Sequence, residues 1–336
     1  MFTQLEEREK TMKISSIISQ IKLIQEKLPN QNIIKAIFTL LDIKYWQKTK
    51  KMLWNEYFWY GFDKKTRKEK LEYVLDNEVM NVIPAICNNE KYVPYLNEKP
   101  LFNKRFEKYL GREYGIFSKD TFDIFADFVK RHETVIIKPE NDMGGHGIEK
   151  IKNDEFLLDN FKRITKNGPI LAEEIIKQHP KMALLNSDSV NTIRIVTMRD
   201  DKGNVTAPLA SVRIGRKGAC VDNFCSGGMA AKIDIESGTI MTPAFDRYIQ
   251  SFEIHPDSNV KIIGYHIPLW EKVIKCVLEA SELLPECRYI GWDVAIGNDD
   301  NVYLIEGNSR PATDVFQIPA GKGLRSIYTK YLGLKN

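Results

Sequence analysis

The segment that most restricts the fold lies near the C-terminus. It reads Tyr289-Ile-Gly-Trp-Asp293-Val-Ala-Ile, then Gly-Asn-Asp-Asp-Asn, then Val302-Tyr-Leu-Ile-Glu306-Gly-Asn308. Alternating apolar residues, β-branched and aromatic enrichment and a Gly/Asn/Asp cluster between the runs predict a β-hairpin. A turn centred on Asp299-Asp300 sets Asp293 opposite Glu306, and directly opposed residues project to one face. Asn308, two residues beyond Glu306, shares that face. Two carboxylates and an amide with no His or Cys beside them suit a hard cation such as Mg²⁺. Mg²⁺ held by few protein ligands commonly takes phosphate as its other partner. The hairpin therefore predicts a nucleotide site elsewhere in the chain.

Bulk properties fit that expectation. The 336 residues allow two or three domains with ample core. A net charge of +4 is too mild to argue for nucleic acid or a membrane. The five cysteines (Cys87, Cys220, Cys225, Cys276, Cys287) form no zinc spacing and no CxxC pair, which fits reduced thiols. The acidic start, Met-Phe-Thr-Gln-Leu-Glu-Glu, lacks a signal-peptide core, and no run reaches the length of a membrane span. A cytoplasmic protein is expected.

The chain divides into three parts, 1–85, 86–175 and 176–336. Ile14, Ile17, Ile18, Ile21, Ile24 and Leu28 recur at helical spacing; Pro29-Asn30 interrupts, and Ile33, Ile37, Leu40 and Leu41 resume. The aromatic run Trp54–Phe62 beside Lys64, Lys65, Arg67 and Lys68 suits a glycan, a lipid headgroup or a partner protein. The plainer reading is a helix-packing core followed by a solvated basic helix start. Val82–Ile86 reads as strand-like, Phe122–Val129 as helical, and the runs from Thr134 onward as strands separated by turns. Trp270, Val273, Ile274, Val277 and Leu278 mark one long amphipathic helix before the hairpin. The pattern is α+β with a largely antiparallel sheet.

A second motif supplies the nucleotide site. Lys138 ends a strand, and Pro139-Glu-Asn141-Asp-Met-Gly144-Gly145-His146-Gly147 follows before the next strand. A glycine loop lets backbone N–H groups close over phosphates with no Cβ in the way, and Lys138 adds a point charge. The loop is neither a Walker A nor a Rossmann fingerprint, since it opens no helix. Read alone, it is more often a plain hairpin turn, with His146 a turn residue rather than a ligand. The run Ile170-Leu-Ala-Glu173-Glu174-Ile-Ile176 places two acids at a strand exit, where they either meet solvent or contact adenine and ribose.

Strand-Lys138, glycine loop, Glu173-Glu174 linker, Asn191-Thr-Ile-Arg194 strand and Asp293…Glu306-Gly-Asn308, in that order, resemble the ATP-grasp superfamily. The stretches His179-Pro…Ser189-Val-Asn191-Thr-Ile-Arg194, Ser211-Val-Arg213-Ile-Gly and Asp222-Asn223-Phe-Cys-Ser-Gly227-Gly228 are similar to its sugar-transfer-associated group. That group is associated with bacterial surface-polysaccharide genes and includes relatives of teichuronopeptide biosynthesis proteins. The resemblance spans about residues 90–325. It implies an ATP-grasp fold, with ATP between two α+β subdomains and a helical N-terminal region outside them. It implies that Lys138 contacts the α- and β-phosphates, with Lys99 the candidate for a second lysine and Lys104 its rival. Gly144, Gly145 and Gly147 match the closing loop, and Glu173 and Glu174 the adenine–ribose linker. Asp293, Glu306 and Asn308 match the ligands of one or two Mg²⁺ ions, and Arg194 an arginine near the transferred phosphate.

The reaction so implied activates a carboxylate as an acyl phosphate that an amine then attacks, and it requires no protein nucleophile. Acceptor recognition is expected around Asn191, Arg213, Asp222, Asn223, Gly227 and Gly228, with Arg213 gripping an anionic group. The alternative for these residues is a buried salt bridge and a tight turn. Cys225 has no basic activator in the sequence. The leading expectation is an ATP-dependent carboxylate–amine ligase that amidates a uronic acid or related carboxylate in surface-polysaccharide assembly. A kinase and a non-catalytic nucleotide-binding partner of a glycosyltransferase are the alternatives.

Overall fold

The computed structural model describes residues 2–139, 148–153, 158–219, 222, 224 and 227–334, with side chains from residue 15 onward. Eleven strands appear among them: β1 Tyr114–Phe117, β2 Thr134–Pro139, β3 Glu149–Lys152, β4 Ile170–Glu174, β5 Ile193–Arg199, β6 Val205–Ile214, β7 Met229–Ile233, β8 Ala244–Phe245, β9 Ser251–Phe252, β10 Tyr289–Ile296 and β11 Val302–Asn308. They form two antiparallel sheets. The small one has the order β1-β4-β2-β3, the large one β11-β10-β5-β6-β7-β8-β9. The α+β class expected from the sequence is the class observed.

The small sheet packs its main core on one side. Phe117, Val135, Ile137, Ile170 and Ala172 alternate inward and pack with Phe125, Phe128 and Phe161 from the helices Phe122–Arg131 and Leu158–Ile164. Its other face carries Lys138 and Glu173, because the period of two that buries Ala172 turns Glu173 the opposite way.

The large sheet is covered on both faces. Ile193, Ile195, Val212, Ile290, Trp292 and Val294 form one face, packed against the helix Trp270–Glu282 and against Leu96, Phe102 and Phe106. The alternate residues Val196, Met198, Leu209 and Tyr289 face a second core made by the N-terminal helices and the helices Asp314–Ala320 and Arg325–Leu332. Residues 1–85 are therefore not an appendage. Gln317 accepts from Val74 N at 3.0 Å and donates to Val74 O at 2.9 Å, which ties the two ends of the chain together. Arg194, Ser211, Arg213 and Asp293 share this second face, just beyond the part the helices cover.

One local expectation is overturned. Val82–Ile86 is not a strand: Glu78–Val82 is a single π-helical turn, and Ile83–Cys87 continues as α-helix. Val79, Ile83 and Cys87 are buried, at i, i+4 and i+8. Pro84 stands in the first helical turn, where its missing N–H costs nothing. The β-branched residues suggested a strand, and the four-residue period determined the helix.

Candidate nucleotide and metal site

The predicted hairpin is present with one refinement. Ile296 pairs with Val302 and Ala295 with Tyr303, so the turn centres on Asp299 rather than between Asp299 and Asp300. That register alone would pair Asp293 with Ile305. A bulge in β11 at Ile305 adds one residue and restores Asp293 opposite Glu306. Asn308 follows on the same face, and its Nδ2 donates to Glu306 Oε1 at 3.3 Å.

Asp293 is almost wholly buried, yet both its oxygens are engaged. Arg194 grips it through Nε and through Nη2, the latter at 2.9 Å, and Arg213 Nη1 donates to the same Oδ2 at 2.9 Å. Burial alone would raise the Asp293 carboxyl; the two guanidiniums outweigh it and hold the group well below the usual carboxylate range. Glu306 is half exposed, 3.8 Å from Arg194, and is pushed up by desolvation and by the Asp293 charge. Arg213 Nη2 reaches Asp222 Oδ1 at 2.9 Å, and the other oxygen of Asp222 accepts Thr192 N at 2.7 Å. Three carboxylates and two guanidiniums thus form one chain, Asp222–Arg213–Asp293–Arg194–Glu306, with a formal charge of −1. The Nε of Arg213 is buried without a partner among the described residues, an N–H left for an anionic oxygen.

A metal would find three oxygen-bearing side chains here. Asp293 Oδ1 accepts Arg194 Nε, the carboxyl groups of Asp293 and Glu306 are hydrogen-bonded to each other, and Glu306 and the Asn308 amide sit together at the rim. The donor set is hard and the local charge negative, so the residues fit Mg²⁺ better than a softer ion. No group of three or more His, Cys, Asp or Glu capable of holding a metal occurs among the described residues, so the Asn308 amide is needed to complete the set.

Glu173 organises the facing sheet. Lys138 Nζ pairs with its Oε2, while Arg112 Nη2 at 2.9 Å and Asn103 Nδ2 at 3.0 Å meet its Oε1. Burial opposes the charge, but Arg112 and Lys138 prevail and hold this carboxyl far below its ordinary range. Glu173 is thus the counter-charge of Lys138, and Glu174, on the opposite face of β4, accepts Glu113 N at 3.3 Å. Arg112 also donates from Nη1 to Leu304 O at 2.8 Å and from Nη2 to Ile305 O at 3.4 Å. The guanidinium therefore links the small sheet to the bulge that aligns the metal ligands.

Lys99 Nζ donates to Pro139 O at 2.9 Å, at the end of the strand that Lys138 belongs to, whereas Lys104 is exposed one turn further along its helix. Asn191 is turned into the scaffold: its Nδ2 meets the carbonyls of Met182 and Asn186 at 2.9 and 2.8 Å, and its Oδ1 accepts Gly215 N at 3.1 Å. Gly227 is exposed with φ +96°, a conformation that favours glycine, and Gly228 is buried. Gly144, Gly145, His146, Gly147, Asn223 and Cys225 lie outside the described residues. Arg112, Asn103 and Thr192 escaped the sequence reading. The only signal for Arg112 was its position after Gly111 on the approach to β1.

A model of the sugar-transfer associated ATP-grasp family matches residues 85–331 of the chain. No curated protein matches its sequence. Among solved structures it is similar to the ATP-grasp ligase PsnB complexed with a phosphomimetic variant of its minimal precursor, Mg and ADP. The identity is 14%, with 73% of this chain and 60% of that chain covered and a TM-score of 0.45. It is similar to the D-alanine–D-alanine ligase from Coxiella burnetii at 10% identity, covering 72% of this chain and 58% of that one, with a TM-score of 0.46. The N5-carboxyaminoimidazole synthetase from Staphylococcus aureus complexed with ADP follows at 11% identity, with coverages of 72% and 52% and a TM-score of 0.47. The chain thus spans between 52% and 60% of the length of these three proteins.

Proposed function

The chain belongs to the sugar-transfer associated ATP-grasp family, and from that premise we propose that it is an ATP-dependent carboxylate–amine ligase whose acceptor is a uronic acid or related carboxylate of a surface glycan. The observation that carries the reading is the Asp293–Glu306 pair, aligned across β10 and β11 by the bulge, with Asn308 beside it. Asp293, Glu306 and Asn308 would hold Mg²⁺, and the ion would neutralise the triphosphate and the charge that develops on the transferred phosphoryl group. Lys138 and Lys99, both beside Pro139 where the run that contains the glycines begins, would receive the phosphates.

The chain's own groups account for the rest. Arg194 and Arg213 hold Asp293 ionised and oriented, so the ligand is in place before ATP arrives. The Nε–H of Arg213 donates to an anionic oxygen, either of the carboxylate or of the phosphoryl group in flight. A substrate carboxylate oxygen attacks the γ-phosphorus, the bond to the β,γ-bridging oxygen breaks, and ADP leaves. The amine then attacks the carbonyl of the acyl phosphate, phosphate departs, and the ammonium proton passes to solvent. No nucleophile from the protein is needed for this sequence of steps.

The test is calorimetry of ATP binding with and without Mg²⁺ on the parent protein and on Asp293→Ala/Glu306→Ala. It is followed by phosphate release with uronates and amines. Mg²⁺-dependent binding that the double variant loses, with phosphate freed only when both substrates are present, is the expected result. Parent protein that binds no ATP refutes the reading. Phosphate retained on the product would instead make the protein a kinase.

A further inference from the structure

The helix Ile33–Lys50 is apolar on two opposite sides. Ala36, Leu40, Ile43 and Trp46 are buried against the second core, and Asn32 caps the helix through Lys35 N at 2.9 Å. At 100° per residue, Ile34, Phe38, Leu41 and Tyr45 fall on the side facing away. Their exposures are 61%, 67%, 60% and 43%. A surface helix that packs by one face ordinarily presents charged residues on the other. Here the outer line is a second apolar seam, continued by the exposed Ile33 and Ile37.

Charge identifies what covers it. Residues 33–70 contain ten Lys and Arg against four Asp and Glu, a net of +6, whereas the whole chain carries +4. The remainder of the protein is therefore net negative by two, and the positive charge is concentrated around this helix. Lys44 and Lys48 flank the apolar line on one side and Lys35 on the other, all exposed. Beyond Tyr45, Arg67 lies over the ring at 5.4 Å and donates to its hydroxyl at 2.7 Å. Beside it a cleft of about 270 Å³ opens between Asp42, Tyr45, Trp46, Arg67 and Lys70. Asp42 is already engaged there by Lys70, by Tyr57 at 2.8 Å and by Trp46 at 3.1 Å.

From this we infer that the outer face of the helix Ile33–Lys50 seats the protein on an anionic lipid bilayer. Large aliphatic and aromatic residues rimmed by lysines are what a helix lying in the interface plane requires. Lysines gain attraction from anionic headgroups within a Debye length of the surface. A second copy of the chain is a poorer occupant, because a two-fold contact would bring the lysine rim of one copy against the lysine rim of the other. No helix among the described residues is long and apolar enough to cross a membrane, so the contact is one of lying on the surface. The inference is independent of the ligase reading, and its readout involves no nucleotide.

The experiment is sedimentation of the full chain with vesicles of phosphatidylglycerol and phosphatidylcholine, against vesicles of phosphatidylcholine alone. Binding to the anionic vesicles is expected, weakened by salt. Phe38→Ser/Leu41→Ser should weaken it roughly tenfold or more through lost apolar burial. Lys35→Gln/Lys44→Gln/Lys48→Gln should weaken it on the order of a hundredfold, at about fivefold per charge. All these side chains are exposed, so melting temperatures should stay within about 2 °C of the parent. Absence of binding to anionic vesicles overturns the inference, as does binding that neither variant changes. A dimer in solution that Phe38→Ser/Leu41→Ser dissociates would assign the face to a second copy and equally overturn it.

Discussion

Glu173→Gln tests the charge arrangement of the small sheet most directly. Glu173 is 2% exposed, and its oxygens accept from Lys138, Arg112 and Asn103. The amide keeps the shape but loses the charge, and its NH₂ points at one of the donors. Two buried cations then share one neutral oxygen. Breaking a buried pair in this way costs about 3–5 kcal/mol, because the remaining charge is left uncompensated. We expect a loss near the lower end, ~3 kcal/mol, since the Lys138 side chain keeps some contact with solvent. For a chain of this size that corresponds to a melting point lower by roughly 4 °C in differential scanning calorimetry. Glu174→Gln, on the other face of the same strand, should change it by less than about 2 °C. The pH dependence adds a second criterion. The folded pKa of Glu173 lies below its unfolded value, so its contribution is present above about pH 4.5 and lost as pH falls toward the folded pKa. The gap between parent and Glu173→Gln should therefore be flat from pH 8 to about 5.5 and narrow below that. Equal melting points for parent and Glu173→Gln, or equal losses for Glu173→Gln and Glu174→Gln, would refute the reasoning.

Two further outcomes follow from local geometry. Glu56 is buried and accepts Leu53 N and Asp76 N at 2.7 Å each, yet burial pushes its carboxyl up to about 7. A raised folded pKa means stability that is full below the unfolded value and lost as pH rises through about 7, so the parent should melt lower at pH 8 than at pH 6 and Glu56→Gln should show a flatter profile. Gly111 has φ +57°, and a Cβ there would lie 1.7 Å from the Tyr303 ring. Gly111→Ala should cost about 1–3 kcal/mol, part of it recovered in Gly111→Ala/Tyr303→Ala as a coupling in a double-mutant cycle by urea denaturation.

The fold's larger outline was legible from the chain because its signals are local. Short β-rich runs between turns marked β2, β4, β5, β6 and β7, alternation marked β10 and β11, and the interruption at Pro29-Asn30 separated two helices that the structure ends and begins at Lys27 and Ile33. Short runs were the weak point: over Val82–Ile86 residue type and residue period pointed to different structures, and the buried face determined the outcome.

What the sequence by itself determined is that Asp293, Glu306 and Asn308 belong to one hairpin; the bulge at Ile305, which aligns Asp293 with Glu306, and the opposite facing of Glu173 and Glu174 came from the structure. Alternation and turn residues are enough to mark a hairpin, since neighbours along the chain set them. Only the tertiary structure decided the partners. Arg112 joins Glu173 to the β11 bulge from 61 residues away, Arg194 reaches Asp293 across 99, and Asn191 is spent on the carbonyls of its own loop. A buried charge requires a counter-charge in space, and spatial neighbours are chosen by the way sheets and helices stack, which no local pattern of residues encodes.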